Sequence, residues 1–479
     1  MIQDNLIFTF SGIRGIINKG LNFEVAKKLG TAFGEWYPYS ERKIILGKDT
    51  RPSSKILEKG IIEGLLIHDF DIINVDVCPT PIIIHTKNKL NIPAGIIITG
   101  SHNNEDWNGV KLISKNSFVG NDALSEIAQK LKEMHLNSYS AINTIISSKI
   151  TKLNPIQDYL SDLYQHINYE KIKKQNKLRV VVDTGAGAGK YATPQLLHDL
   201  GCKVKIINND LYVNQRFPRA IEPVKENLTD LIMEVWQGKY DIGFAHDSDA
   251  DRLAIIGENG VCYPEDVGLA LITEQFLKNH TQDSNEIIFI TNLASSLMFE
   301  VLAERYGAEI LRTPIGEKFL VEKISVLMNK KERSSGSCVI LGGEGSCGGA
   351  IFPNFNLTRD AIFAVAKIVE ILIDTKKKIS ELVKQLPKYH SYRRSIPIKS
   401  QKITAIIDET RKQLIQEGER VNQINNDLRF GLEKEWFVLI HPSNTEPIIR
   451  VISEARIDSS ARLYCEATTE LIKLVISQL

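Results

Sequence analysis

The chain has 479 residues and a formal net charge of +1, with 43% hydrophobic and 24% charged residues. A chain of this length is too long to fold around a single hydrophobic core, which favours three or four domains. The near-neutral charge gives no reason to expect nucleic acid or a membrane surface as a partner. The six cysteines include no Cys-x-x-Cys pair, which indicates reduced thiols and argues against a disulfide framework or a zinc site. Because no signal-peptide pattern opens the chain and no apolar stretch approaches the ~20 residues of a membrane span, we expect a soluble, cytoplasmic protein.

The predicted elements repeat three times along the chain. Short apolar runs predict buried strands of a mainly parallel sheet at residues 43–47, 179–183 and 286–290. A helical pattern follows each strand, at residues 54–66, 191–200 and 296–306. Second strands are predicted at 72–75, 203–207 and 309–311, and third strands at 95–98, 241–245 and 338–341. Each third strand leads into a polar or glycine-rich loop. Ligands in open α/β sheets bind beyond the carboxyl ends of the strands, so the three loops are expected to line one shared cleft.

The repeats set the predicted domain boundaries. We expect α/β domains at 1–154, 155–260 and 261–386, followed by a segment of different character at 387–479. That last segment has a helical pattern at 404–417, a strand at 436–440 and a final helix at 460–476. The predicted fold is therefore three similar mixed α/β domains around a central cleft plus a smaller C-terminal α+β domain.

Two loops carry most of the predicted chemistry. Ser101 follows the strand predicted at residues 95–98. Asp247, Asp249 and Asp251 follow the strand predicted at residues 241–245 and occupy alternate positions. Alternate side chains share one face of a strand but lie about 7 Å apart, so they can hold one ion only if the loop curls. Three hard oxygen ligands suit Mg²⁺. An EF-hand is rejected because Arg252 occupies the sixth loop position, where the sharp turn needs glycine.

A third polar loop, residues 441–447, follows the predicted strand of the last segment. Its Ser443, Asn444 and Thr445 offer neutral donors, and Arg450 lies just beyond. A guanidinium can bind phosphate through two parallel hydrogen bonds. An ordinary polar turn is the alternative.

Six segments, in order, resemble motifs of the α-D-phosphohexomutase superfamily. They are residues 11–15 (SGIRG), 47–54 (GKDTRPSS), 99–103 (TGSHN) continuing to 108–111 (NGVK), 247–252 (DSDADR), 343–346 (GEGS) and 442–447 (PSNTEP). The resemblance covers essentially the whole chain. It implies a reversible transfer of phosphate between the 1- and 6-positions of a hexose phosphate, through a phosphoserine and a bisphosphosugar intermediate that turns around in the cleft.

The resemblance also implies roles for residues. Mg²⁺ would be held by Ser101, which carries the phosphate, and by the three aspartates. Arg14 and Arg252 would neutralise the moving group, and either Lys111 or His102 would transfer the sugar proton. Sugar recognition would fall to Glu344 and Ser346, and phosphate binding to Ser443, Asn444, Thr445 and Arg450. A bisphosphosugar activator would be needed if Ser101 were unphosphorylated.

Several positions depart from the superfamily pattern. They are Gly100 in place of Ala, Asn104 in place of Pro, Ser248 in place of Gly, His441 in place of Arg, and Cys347-Gly348 where many members have Gly-His. Residues 359–361 resemble a subgroup that acts on glucosamine or mannose phosphates, which favours glucosamine phosphate over mannose or glucose phosphate. Two alternative hypotheses for the function are a non-catalytic sugar-phosphate-binding protein and a phosphatase that transfers the phosphate to water.

Overall fold

The fold is described from a computed structural model, for residues 6–9, 12–115, 117–134, 149–281, 286–331, 338–398, 402–443 and 447–479. It divides into two compact units, one formed by residues 1–272 and 347–383 and the other by residues 273–346 and 384–479. In the part of the chain that the structure describes, no helix is both long and apolar enough to cross a membrane.

The first unit begins with a mixed sheet flanked by helices. Its elements in chain order are β1 (Leu6–Thr9), β2 (Gly12–Ile16), α1 (Phe23–Trp36), β3 (Lys43–Lys48), α2 (Ser54–Leu66), β4 (Asp71–Val77), α3 (Thr80–Lys89), β5 (Ala94–Ile98), β6 (Trp107–Ser114), β7 (Ser117–Phe118), α4 (Asn121–Glu133) and β8 (Ile150–Lys152). The sheet order is β1-β2-β6-β5-β3-β4-β8, with β7 beside β6. Strands β5, β3, β4 and β8 run parallel, whereas β6 pairs antiparallel with β5.

The chain then forms a second, smaller α/β domain in the same unit. Its elements are α5 (Ile156–Tyr164), α6 (Tyr169–Gln175), β9 (Arg179–Asp183), α7 (Thr193–Asp199), β10 (Lys203–Ile207), α8 (Thr229–Gln237), β11 (Ile242–His246) and β12 (Leu253–Gly257). The sheet order is β10-β9-β11-β12, in which only β12 is antiparallel. A 3-10 turn at Ala188–Tyr191 precedes α7, so the helix predicted from residue 191 begins two residues later.

The third α/β segment contributes to both units. Its elements are α9 (Glu265–His280), β13 (Glu286–Asn292), α10 (Met298–Tyr306), β14 (Glu309–Thr313), α11 (Glu317–Lys331), β15 (Cys338–Glu344), β16 (Gly349–Phe352), β17 (Asn356–Arg359), α12 (Ala361–Thr375) and α13 (Ile379–Val383). In the second unit β14, β13 and β15 are parallel neighbours in that order. In the first unit β16 and β17 form an antiparallel pair.

The threefold pattern predicted from the sequence is visible in the strand order. The first strand of each repeat lies between its second and third strands, as β4-β3-β5, β10-β9-β11 and β14-β13-β15. Each of these first strands is largely buried, because an apolar run without alternation suits a sheet covered on both faces. The three domains are therefore built alike.

The C-terminal segment of the second unit is a different, antiparallel fold. Its elements are β18 (His390–Pro397), α14 (Ile403–Gln416), β19 (Asn422–Ile424), β20 (Asp427–Leu432), β21 (Trp436–Pro442), β22 (Ile448–Ala455) and α15 (Asp458–Gln478). The sheet order is β18-β22-β21-β20-β19. One face contributes Val438 and Ile440 to the core that includes Ile472 of α15. The expectation of a smaller C-terminal α+β domain is confirmed.

Candidate active site

Ser101 lies in the loop between β5 and β6 and is almost completely buried. Its φ angle is +49°, a left-handed conformation that non-glycine residues rarely adopt. The backbone N–H of Ser101 donates to Thr99 Oγ1 at 2.8 Å, and Ser101 Oγ donates to Asp247 Oδ2 at 3.0 Å. The sharp turn therefore directs the hydroxyl from the end of β5 towards the aspartate loop.

Arg51 holds the serine loop through its guanidinium group, which is buried. Nη1 donates to the carbonyl oxygens of Asn104 at 2.8 Å and Trp107 at 3.0 Å. Nη2 donates to the carbonyl oxygens of Ser101 at 2.7 Å and Asn103 at 2.6 Å. A guanidinium has five donors in a rigid fork, and this loop geometry uses that arrangement fully.

Asp49 connects the serine loop to the aspartate loop. Its Oδ2 accepts from Arg51 Nε at 3.1 Å and from Thr99 Oγ1 at 2.8 Å. Ser248 Oγ lies 2.9 Å from the same oxygen and 2.8 Å from the carbonyl oxygen of Ser101, so its proton can be donated to either acceptor. One buried carboxylate thus fixes the register of the two loops.

The three aspartates converge as the sequence analysis required. Ligand oxygens of Asp247, Asp249 and Asp251 all lie within 4.8 Å of one another, and the residues are buried. The loop curls at Ala250, whose φ is +55°. Asp249 Oδ1 and Asp251 Oδ1 are buried without a hydrogen-bond partner among the described residues. Buried carboxylate oxygens of this kind need a compensating charge, so the cluster fits a hard divalent cation.

Cations and the Thr80 hydroxyl satisfy the second carboxylate oxygens of Asp249 and Asp251. Lys111 Nζ lies 2.7 Å from Asp249 Oδ2 and 3.2 Å from Asp251 Oδ2. Thr80, at the start of α3, donates its hydroxyl to Asp249 Oδ2 at 2.6 Å. Arg359, at the end of β17, lies 2.6 Å from Asp251 Oδ2. The aspartate loop is therefore braced from three separate segments.

The two end aspartates have opposite electrostatic environments. Burial raises the pKa of Asp247 well above its usual range, and the charges of Asp251 and Asp249 add to this effect. Burial alone would also raise the pKa of Asp251, but Arg359, Lys111 and Arg252 outweigh it and hold this pKa far below the usual range. Asp251 is therefore ionised at neutral pH.

Three further predicted catalytic groups, His102, Arg14 and Arg252, are also described by the structure. His102 Nδ1 lies 3.5 Å from Ser101 Oγ. Burial lowers the pKa of His102 well below 6.5, and Arg252 and Arg14 lower it further, so the imidazole is neutral at pH 7. Arg14 contacts the Asn103 side chain, and burial together with Arg252 lowers the pKa of Arg14 to about 10. Arg252 Nη1 lies 2.9 Å from Glu222 Oε1.

The structure explains why glycine stands at position 348, where many superfamily members have histidine. Its φ is +66°, and a Cβ atom there would lie 2.1 Å from the carbonyl oxygen of Leu253. No side chain fits this backbone, so histidine cannot replace glycine without a local rearrangement. Gly100 is similarly restricted, since a Cβ would lie 2.7 Å from the Arg51 guanidinium.

The predicted sugar-binding residues lie in the second unit. Glu344, at the end of β15, is buried and accepts hydrogen bonds from Asn292 Nδ2 at 2.8 Å and from the Gly316 backbone N–H at 3.1 Å. Ser346 is partly buried in the 3-10 turn that follows. The convergence of Glu344 and Ser346 with Ser101 in one cleft remains a prediction.

The predicted phosphate loop also lies in the second unit. The Ser443 backbone N–H donates to the carbonyl oxygen of Ile448 at 2.9 Å. Arg450 on β22 lies directly opposite His441 on the neighbouring strand β21. The Nδ1 atom of His441 lies 2.6 Å from Asp427 Oδ1. The predicted ligands Asn444 and Thr445, like Ser11 of the N-terminal motif, lie outside the described residues.

Sequence reasoning assigned no role to Asp49, Arg51 or Thr80 and gave Arg359 only a subgroup resemblance. The motif at residues 47–54 contains Asp49 and Arg51 and could have marked them as candidate site residues, but it does not indicate which groups they contact. Thr80 and Arg359 are 169 and 108 residues from the aspartates they contact. No local pattern could have connected them.

Family profiles and full-length relatives match this chain. Family profiles for the phosphoglucomutase/phosphomannomutase α/β/α domains I, II and III match residues 5–137, 157–260 and 264–389. The chain is 34% identical over 98% of both lengths to "Phosphoglucomutase/phosphomannomutase" of Thermococcus kodakarensis. It is 32% identical, again over 98% of both, to "Probable phosphoglucosamine mutase" of Pyrococcus abyssi.

Solved structures show the same fold. A phosphoglucomutase/phosphomannomutase family protein of Burkholderia thailandensis superposes with a TM-score of 0.79 at 23% identity, covering 98% of this chain and 97% of that one. N-acetylphosphoglucosamine mutase of Aspergillus fumigatus, solved with GlcNAc-6P and magnesium, gives 0.60 at 14% identity, covering 98% and 96%. The three matched domains and the full-length relatives confirm the resemblance found in the sequence, and the chain belongs to the phosphoglucomutase/phosphomannomutase family within the α-D-phosphohexomutase superfamily.

Proposed function

We propose that the protein is a phosphohexomutase that interconverts hexose 6-phosphate and hexose 1-phosphate through a phosphoserine at Ser101. The observation that carries this proposal is the contact of Ser101 Oγ with Asp247 at 3.0 Å, beside buried aspartate oxygens that lack a hydrogen-bond partner among the described residues. A hydroxyl held in a strained turn next to a cation site is suited to accepting and donating a phosphoryl group.

The proposed ligands for Mg²⁺ are Asp247, Asp249, Asp251 and Ser101. When bound, the metal would neutralise charge on the transferring phosphoryl group. Support comes from the donor set, which is composed of hard oxygens, and from the two carboxylate oxygens for which the described part of the chain offers no hydrogen-bond partner.

The protein side chains supply positioning and the proton transfer. Arg14 and Arg252 provide fixed positive charge beside the serine loop. Lys111 is engaged with two aspartates, whereas neutral His102 has a ring nitrogen 3.5 Å from Ser101 Oγ. This arrangement favours His102 as the group that accepts a proton near Ser101. Catalytic hydrogen bonds often shorten only when substrate is bound, so the distance is compatible with this role.

For the substrate we favour glucosamine phosphate. The relative from Pyrococcus abyssi carries that activity in its name, and the sequence at 359–361 resembles the same subgroup. Mannose or glucose phosphate is the second candidate, because the relative from Thermococcus kodakarensis is named for both of these activities. Glu344 and Ser346 are the proposed sugar contacts, and Ser443, Asn444, Thr445 and Arg450 the proposed contacts of the distal phosphate.

The remaining elements of the proposal concern organisation. The boundaries 1–154, 155–260, 261–386 and 387–479 would separate phosphoserine, metal, sugar and phosphate domains. The protein would act in the cytoplasm on small hexose phosphates, without nucleic acid or membrane partners. A bisphosphosugar activator would be required whenever Ser101 is unphosphorylated.

The test is a mutase assay with glucosamine, mannose and glucose phosphates, in the presence of Mg²⁺ and a catalytic amount of bisphosphosugar. The variants are Ser101→Ala and, as a matched control, Ser161→Ala on the exposed face of α5. We expect one sugar to be preferred, activity to be lost only in Ser101→Ala, and intact mass to show one phosphate on the wild type. Release of inorganic phosphate without isomerisation would favour a phosphatase. Inactivity on all sugars with no phosphoserine would favour a binding protein.

A further inference from the structure

A cavity of about 220 Å³ lies within the second unit, at the end of the C-terminal sheet opposite the phosphate loop. Its walls include Leu297 and Glu300 at the start of α10, Arg429 of β20, and Trp436 and Phe437 of β21. The predicted phosphate loop starts at the other end of β21, six residues from Trp436. A strand rises about 3.3 Å per residue, so the two ends are about 20 Å apart. This cavity is therefore separate from the proposed phosphate site.

Arg429 is the unusual side chain of this cavity. Its cross-strand neighbour is Leu439, on the face of the sheet that packs with Phe437 against Leu293 and Leu297. The guanidinium carbon lies 4.4 Å from the centre of the Phe437 ring. Nε and Nη2 are shielded from solvent and have no hydrogen-bond partner among the described residues. A buried guanidinium without an acceptor is costly unless something neutralises it.

The nearby carboxylates are already engaged or exposed. Both oxygens of Glu300 accept from Arg312, at 2.6 Å and 2.8 Å. Glu454 Oε2 accepts from the Leu297 backbone N–H at 2.6 Å. Glu433, the other acidic residue at the cavity, is exposed. Burial and the like charge of Arg312 lower the pKa of Arg429 to about 9, and the charges of Glu300 and Glu454 only partly oppose this shift.

We propose that this cavity binds a small oxyanion, a phosphate or carboxylate group, with Arg429 as its main ligand and the exposed Arg420 at its rim. A guanidinium pairs with either oxyanion through two parallel hydrogen bonds. The site has the size for one such group and supplies positive charge that no described carboxylate neutralises by a hydrogen bond. The proposal does not depend on the catalytic function.

The first test is thermal unfolding of the full chain in Tris chloride with added inorganic phosphate or acetate, at constant ionic strength. The variants are Arg429→Met, Arg450→Met to remove the guanidinium of the proposed catalytic phosphate site, and Arg462→Met as an exposed control on α15. Without oxyanion, we expect Arg429→Met to unfold at the same or a higher temperature than the wild type, since it removes buried nitrogens that have no hydrogen-bond partner among the described residues. At tenfold the dissociation constant of the cavity, binding of the effective anion there should contribute about 1.5 °C to the unfolding temperature of the other three proteins, and Arg429→Met should lose this contribution. Whether phosphate or acetate gives the shift identifies the class of oxyanion.

The opposite pattern would overturn the proposal. If Arg429→Met unfolds at a lower temperature without oxyanion and responds to both anions like the wild type, Arg429 serves only to pack on Phe437. Should this variant not fold, crystals of the wild type soaked in selenate decide the question. Anomalous density beside Arg429 supports the site, and density only at the phosphate loop refutes it.

Discussion

The sharpest prediction concerns Arg51, which should position Ser101 without contacting substrate. We consider Arg51→Lys, which keeps the positive charge but replaces five forked donors with three. The guanidinium donates to four carbonyl oxygens of the serine loop, over distances of 2.6–3.0 Å. An ammonium group cannot span these four acceptors, so at least two hydrogen bonds to a charged group are lost.

Each such bond contributes about 1.5–3 kcal/mol, which gives a loss of about 3–6 kcal/mol in the free energy of unfolding. The loss also releases the left-handed Ser101 backbone, whose conformation costs about 1–3 kcal/mol to maintain. Displacement of a reacting group by about 1 Å can reduce turnover about 100-fold. We therefore expect kcat to fall by about that factor while KM for the sugar phosphate changes little.

The assay combines urea unfolding followed by tryptophan fluorescence with steady-state mutase kinetics. Arg462→Lys, at an exposed helix pair worth about 0.3–0.5 kcal/mol, is the matched control. Unchanged stability and unchanged kcat in Arg51→Lys would refute the positioning role. A selective rise in KM would instead place Arg51 in substrate binding.

Three further predictions follow from the same geometry. Asp249→Asn should abolish the stabilisation and heat of binding produced by Mg²⁺, measured by calorimetry, whereas Asp210→Asn on an exposed loop should retain both. Gly348→Ala should destabilise the protein far more than Gly307→Ala, because both glycines have similar positive φ values but only Gly348 would clash; equal shifts in unfolding temperature would contradict this. Burial lowers the pKa of His246 to about 4, so the folded state binds fewer protons than the unfolded state below pH 6.5. Stability should therefore fall as the pH drops from 6.5 towards 4, with a smaller slope in His246→Gln; identical slopes would show that His246 does not contribute.

Most of the site could be located from the sequence, because its main groups sit where apolar strands end. Ser101 follows β5, the three aspartates follow β11, and Glu344 ends β15. Strand periodicity and loop chemistry are local properties, so they can be recognised without knowing the fold. The repeat of three similar strand orders was recognisable for the same reason.

The sequence alone determined the order of elements, the threefold repeat and the identity of the reactive side chains. Only the tertiary structure decided how those side chains are held. The convergence of the aspartates depends on the left-handed turn at Ala250, and their neutralisation depends on Thr80 and Arg359 from distant segments. The restriction of Gly348 to glycine depends on the carbonyl of Leu253, and Glu300 forms its hydrogen bonds with Arg312 instead of Arg429. Such contacts arise from packing between segments far apart in the chain, and no local pattern encodes which distant groups will meet.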